Sequence, residues 1–175
     1  MAIQPGMRAA TEVVLNPGDF HFHRPRSGLA QPALLRTLLG SCVSVVAWHP
    51  LSRLAGMSHS VLPSRCRRGG GAALDGRFCD EAIELFCQEI ARAGAKPAQF
   101  RVYLVGGGQM YSTSQGSLAI GSRNIDAARQ QLQRAGFMLG AEHVGMQDYR
   151  KVELLLATGE VTVIFRNKRI VLSAG

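Results

Sequence analysis

Apolar residues recur along the chain in two rhythms, one near 3.6 residues and one near 2, and the switches between them predict its elements. The clearest helix carries Cys79, Ala82, Ile83, Phe86, Cys87 and Ile90 on one face, while Asp80, Glu81, Glu84 and Glu89 take the other. Its acids come early, Arg92 comes late, and Gly94 stands where a helix is usually closed. A second helix is predicted after Asn124, read as its N-cap, with Ile125, Ala128 and Leu132 as the apolar stripe and Gly136 as the stop.

The remaining signals are those of strands. Residues 1–11 read as a frayed tail, which leaves 12–175 as a single domain. Glu12 to Leu15 is a short strand stopped by Asn16, Pro17 and Gly18, and FHFHRPRSGLAQP then reads as a polar, proline-bearing loop. The run LLRTLLGSCVSVVAW ends in β-branched, almost wholly apolar residues, the pattern of a strand buried on both faces. His49, Pro50 and Leu51 turn the chain, and Leu54 to Leu62 returns as a second strand, so the two form a hairpin. Phe100 to Val105 is a strand ending in Gly106, Gly107 and Gly108. Later strands are expected at Phe137 to Leu139, with Val144 as the outer limit, at Val152 to Ala157 and at Val161 to Phe165, the last two joined by Thr158, Gly159 and Glu160. The pattern predicts an α+β fold, a sandwich of mixed β-sheet layers covered by two main helices.

Charge narrows the partners. Among 175 residues with a formal net charge of +8, the basic side is carried by Arg, with Lys only at 96, 151 and 168. Arg suits carboxylates as well as phosphates, so the excess favours an acidic partner without by itself selecting nucleic acid over an acidic protein surface, and nucleic acid is not expected as the partner. No 18-residue apolar stretch occurs and the N-terminus has polar residues where a signal peptide needs an apolar core. A cytoplasmic protein without membrane insertion is expected. The four Cys (42, 66, 79, 87) contain no CxxC pair and are expected as free thiols, with no metal. Cys79 and Cys87 fall on the apolar helix face, and Cys66 lies in SRCRRGGGAA, read as an exposed loop. There Arg65, Arg67 and Arg68 form a basic run, either simply solvated or steering an acidic helix. Gly106 to Gly108 lack the Lys-Ser/Thr of a phosphate loop and read as a tight turn.

Cys42 follows Gly40 and Ser41 at the entry to the most apolar strand, where the backbone can bend sharply and bring N–H groups to a substrate. On the residues alone it is either one more core thiol or a nucleophile, and His59 is either a structural histidine or its base. The hairpin brings His59 back toward Cys42. A lone thiol is only about 3% ionised at pH 7, and a neighbouring imidazolium is expected to lower its pKa by roughly two units. Such a pair serves acyl transfer or amide hydrolysis through a thioester.

The blocks TLLGSCVSVVAWHP, GMSHSVLP, VGGGQM and IGSRN resemble the CheD family, the chemoreceptor glutamine deamidases of bacterial chemotaxis, and EVVLNPGDF and the TGEV turn are similar too. The resemblance implies a Cys/His hydrolase-like site in which Cys42 is the nucleophile and His59 the catalytic histidine, with no cofactor. The family places a Thr six residues before the Cys. Arg36 stands there, and Thr37, one position later, is expected to serve only if a bulge or shifted register turns it inward. Ser41 resembles the family's serine beside the nucleophile, and it binds the amide or is structural; with Gly40 it belongs to the candidate substrate or oxyanion turn. Also implied are methyl-accepting chemoreceptors as substrates, a CheC-type phosphatase as partner and a receptor methylesterase activity. The alternative expectation is a non-catalytic adaptor that binds receptors or the phosphatase.

Overall fold

The structure, a computed structural model, describes residues 11–28, 30–65, 73–110 and 120–173. Ten strands and two helices follow one another as β1 (Glu12–Leu15), β2 (Phe20–His23), β3 (Leu34–Leu39), β4 (Val43–Trp48), β5 (Ala55–Ser58), α1 (Cys79–Arg92), β6 (Arg101–Gly106), α2 (Ile120–Arg134), β7 (Leu139–Val144), β8 (Arg150–Leu155), β9 (Val161–Phe165) and β10 (Lys168–Leu172). They make two five-stranded sheets, ordered β1-β3-β8-β9-β10 and β2-β5-β4-β6-β7. Each is mixed, because β1 pairs with β3 and β6 with β7 in parallel while the other pairs are antiparallel. This is a single α+β domain.

The two sheets pack face to face over Leu35, Leu39, Val46, Trp48, Met57, Val152 and Val163. Both helices lie on the other face of the second sheet, over Val43, Val45, Ala47, Ile83, Phe86, Leu104 and Leu132. The order of layers is therefore helices, sheet, sheet, and among the described residues no helix covers the outer face of the first sheet. β4 is the middle strand of the middle layer, so all six of its residues are buried. That is why its sequence is apolar at every position but Ser44, each buried Val contributing roughly 1.5–3 kcal/mol.

Several expectations are corrected. FHFH is a strand, not a loop: Phe20 and Phe22 alternate with His21 and His23, β2 pairs with β5, and Phe20 stacks edge-on against Phe86 of α1 at 4.8 Å. The run from Leu34 to Trp48 holds two strands of different sheets, broken at Gly40, Ser41 and Cys42. α2 starts four residues before Asn124, which lies inside the helix and is not its cap. β7 occupies the outer part of its expected range, and β10 follows a two-residue hairpin in which Arg166 and Asn167 both have positive φ. The β4–β5 and β8–β9 hairpins and the limits of α1 agree with the sequence reading.

Candidate active site

The break between β3 and β4 carries the chain from one sheet to the other, and its backbone is held on every side. The Gly40 carbonyl accepts from Gly108 N at 2.8 Å, the Ser41 carbonyl from Asn124 Nδ2 at 3.2 Å, and the Cys42 carbonyl from Gly107 N at 2.7 Å. Val43 and Ser60 exchange both backbone bonds, at 2.9 and 2.8 Å. The close approach explains the glycines: Gly106 has φ +115, and a Cβ there would collide with the Cys42 carbonyl oxygen. The N–H groups of Ser41 and Cys42 are bonded to no other residue among those described.

The Val43–Ser60 pair extends the β4–β5 ladder by one more rung. Cys42 and His59 are then diagonal neighbours on the face that looks between the sheets. Cys42 is half-buried and packs against the inter-sheet core, and His59 is buried. Thr37 approaches His59 from the opposite sheet, its Oγ1 lying 2.7 Å from His59 Nδ1 and 2.8 Å from the Leu15 carbonyl oxygen. A carbonyl can only accept, so the single hydroxyl proton goes to Leu15. Nδ1 must then be the donor to Oγ1, which leaves the Nε2 lone pair as the basic site.

Thr37 needs no bulge to reach this position. β3 runs in unbroken register with β1 and β8, and its pleat sends Leu35, Thr37 and Leu39 inward. Arg36 faces outward and pairs with Glu12 at 2.8 Å. The local electrostatics run against the expected lowering of the thiol pKa. Burial pushes the Cys42 thiol above its ordinary value, only partly countered by its own N–H, and burial holds His59 below 6.5, against smaller opposing effects of the Leu15 carbonyl and Asp19. Both shifts are toward the uncharged form, thiol for Cys42 and neutral imidazole for His59.

Asn124, read from the sequence as a helix cap, joins Ser41 to Val61, whose carbonyl takes its second bond at 2.9 Å. Its partners are 83 and 63 residues away, and no local pattern announces them. Met110 and Tyr149 stand against Gly40 and, with Gln109, Gln147 and Asp148, line an open groove of about 400 Å³. Arg65 is not a free member of a basic run, because it pairs with the buried Glu81 at 2.9 Å. Cys66, Arg67 and Arg68 lie outside the described residues, as do residues 1–10 of the expected tail. Among the described residues no group of three His, Cys, Asp or Glu is placed to hold a metal, and no helix is long and apolar enough to cross a membrane.

The molecule is thus a two-sheet α+β domain with a thiol, an imidazole and a hydroxyl gathered where the sheets meet. A family model described as CheD chemotactic sensory transduction matches residues 61–164. A protein of Dechloromonas aromatica named probable chemoreceptor glutamine deamidase CheD 3 is 43% identical over 88% of this chain and 87% of its own. One of Pseudomonas syringae pv. tomato, named probable chemoreceptor glutamine deamidase CheD, is 38% identical over 88% of this chain and 89% of its own. A solved structure of the hypothetical protein YfiH of Bacillus licheniformis has a TM-score of 0.40 at 19% identity, covering 66% of this chain and 46% of that one. The chain belongs to the CheD family.

Proposed function

We propose that this protein is a cysteine-dependent deamidase that converts glutamine side chains of chemoreceptors to glutamate. The names of its relatives support the reaction and the substrate. The observation that carries the residue roles is the hydrogen bond from His59 to Thr37, which leaves Nε2 basic on a residue that shares the inter-sheet face with Cys42. In this reading Nε2 takes the thiol proton as Cys42 Sγ attacks the carboxamide carbon, and the N–H groups of Ser41 and Cys42 receive the oxyanion. His59 returns the proton to the departing nitrogen, releasing ammonia and leaving a thioester. It next deprotonates a water that attacks the thioester, freeing glutamate and the thiol. Gly40 contributes its carbonyl, held by Gly108, to the shape of the turn.

The experiment is peptide mass spectrometry on an unmodified chemoreceptor cytoplasmic fragment incubated with wild type, Cys42→Ala and His59→Ala. A Gln-to-Glu mass shift at defined sites is expected with wild type and at the background level with either variant. A fragment that binds wild type but keeps every glutamine moves the protein to the adaptor role. The CheC-type phosphatase belongs to the same reading, and co-purification with wild type checks it.

A further inference from the structure

We propose that Asn124 is a positioning residue that orients the oxyanion donor of the Cys42 turn, an inference that rests on the deamidase reading above. Asn124 lies in the second turn of α2 with no surface open to solvent. Its amide faces the carbonyl oxygens of Ser41 and Val61, so the nitrogen, not the oxygen, must point at them. Its Oδ1 is buried with no hydrogen-bond partner among the described residues. A buried acceptor left unpaired is unfavourable, and an apolar side chain of the same size would avoid it. The position therefore holds an amide for its donor end.

Peptide geometry shows what that donor does. In a trans peptide the C=O and the following N–H point in opposite directions within one plane. By holding the Ser41 carbonyl toward α2, Asn124 turns the Cys42 N–H away from it. Gly108 N acts in the same way one unit upstream, holding the Gly40 carbonyl at 2.8 Å and so fixing the direction of the Ser41 N–H. These are the two N–H groups that bond to no other described residue, and that of Cys42 lies beside its own sulfur. An oxyanion forming on a carbon attached to Sγ gains from donors fixed before the reaction begins. Without the Asn124 bond the Ser41–Cys42 peptide can rotate, and that preparation is lost.

Asn124→Ala and Asn124→Asp test this on the receptor fragment. Loss of one prepared donor is expected to lower kcat by roughly 10²- to 10³-fold, with KM held within about threefold. Alkylation of Cys42 by iodoacetamide, a displacement at a saturated carbon that forms no oxyanion, should keep its wild-type rate and pH profile. Asn124→Asp adds a titration that a merely structural residue would not produce. Its protonated carboxyl can donate to one carbonyl and its carboxylate to none, so its kcat relative to wild type should rise as pH falls. A variant that melts cooperatively yet keeps kcat within about twofold of wild type overturns the inference, as does a loss carried by KM or matched by lost alkylation. Should Asn124→Ala fail to fold, Asn124→Asp alone decides. If wild type leaves receptor glutamines unchanged, the deamidase reading fails, and carbonyl and amide NMR shifts decide the positioning. Ser41 carbonyl and Cys42 amide signals that move in Asn124→Asp at high pH, with the Gly40 carbonyl unmoved, sustain it; unmoved signals overturn it.

Discussion

Thr37 shows how much a single proton can settle. Its hydroxyl donates to Leu15 and accepts from His59, so one side chain fixes both the tautomer and the orientation of that imidazole. Thr37→Val keeps the shape and deletes both bonds. Deamidation kcat should fall on the order of 10²-fold, less than the ~10⁴-fold that a wrong tautomer costs in a Ser-His-Asp triad, because Thr carries no charge. Stability should drop by about 1–2 kcal/mol, the Leu15 carbonyl being left without its partner. Thr37→Ser, which retains the hydroxyl, should keep most of the rate. A steady-state assay with a urea titration checks all three, and a Val variant at wild-type kcat would remove Thr37 from the site. Cys42 and His59 were legible in the sequence because their chemistry and the hairpin agreed. Thr37 was half-legible, since its offset from Cys42 pointed to Arg36 and only the pleat of β3 shows which of the two faces inward.

Among the elements, the end of β6 and the turn after it are tightly enclosed. Gly106, at φ +115, lies against the Cys42 carbonyl, and a methyl group there meets backbone that no rotamer change can move. Gly106→Ala should cost about 1–3 kcal/mol for the backbone conformation alone. The collision adds to this and displaces Cys42, so on the proposed mechanism activity per folded molecule should fall as well. Urea unfolding combined with a deamidation assay separates the two effects. Wild-type activity in the folded fraction would show that the Cys42 turn tolerates displacement. The sequence marked this turn through its three glycines, and α1 through a complete amphipathic stripe with both end signals. β2 escaped because its alternation spans only four residues, two of them His, ahead of a proline-bearing loop. β10 escaped because its turn is Arg166–Asn167, which takes positive φ without the glycine that usually announces it.

At the scale of the whole molecule, strand and helix content could be read from period, but the order of layers could not. Which sheet face a helix covers depends on pairings between residues far apart, as between β3 and β8. Burial in these layers has a consequence for the response to acid. His21, His23, His59 and His143 are all held below 6.5, each chiefly by burial, with His21 adding to the effect on His23 and Arg150 to that on His143. Below pH 6.5 the unfolded chain takes up protons at these positions that the folded protein still refuses. Stability should therefore be undiminished above that pH, fall as pH drops from 6.5 toward the folded values, and level once the folded histidines are protonated too. Asp75, Glu89 and Glu153 act separately and at lower pH. Their pairing with Arg and Lys partners outweighs burial and holds them below their ordinary 3.8 and 4.5, so the stability they contribute persists above those values and is lost as pH falls through the folded ones. Urea midpoints measured from pH 8 to pH 3 at constant ionic strength should thus descend in two stages, the first over the interval that opens at pH 6.5. A midpoint unchanged across that first interval would mean that the histidines do not titrate differently in the two states, and that burial between the layers leaves their charge unaffected.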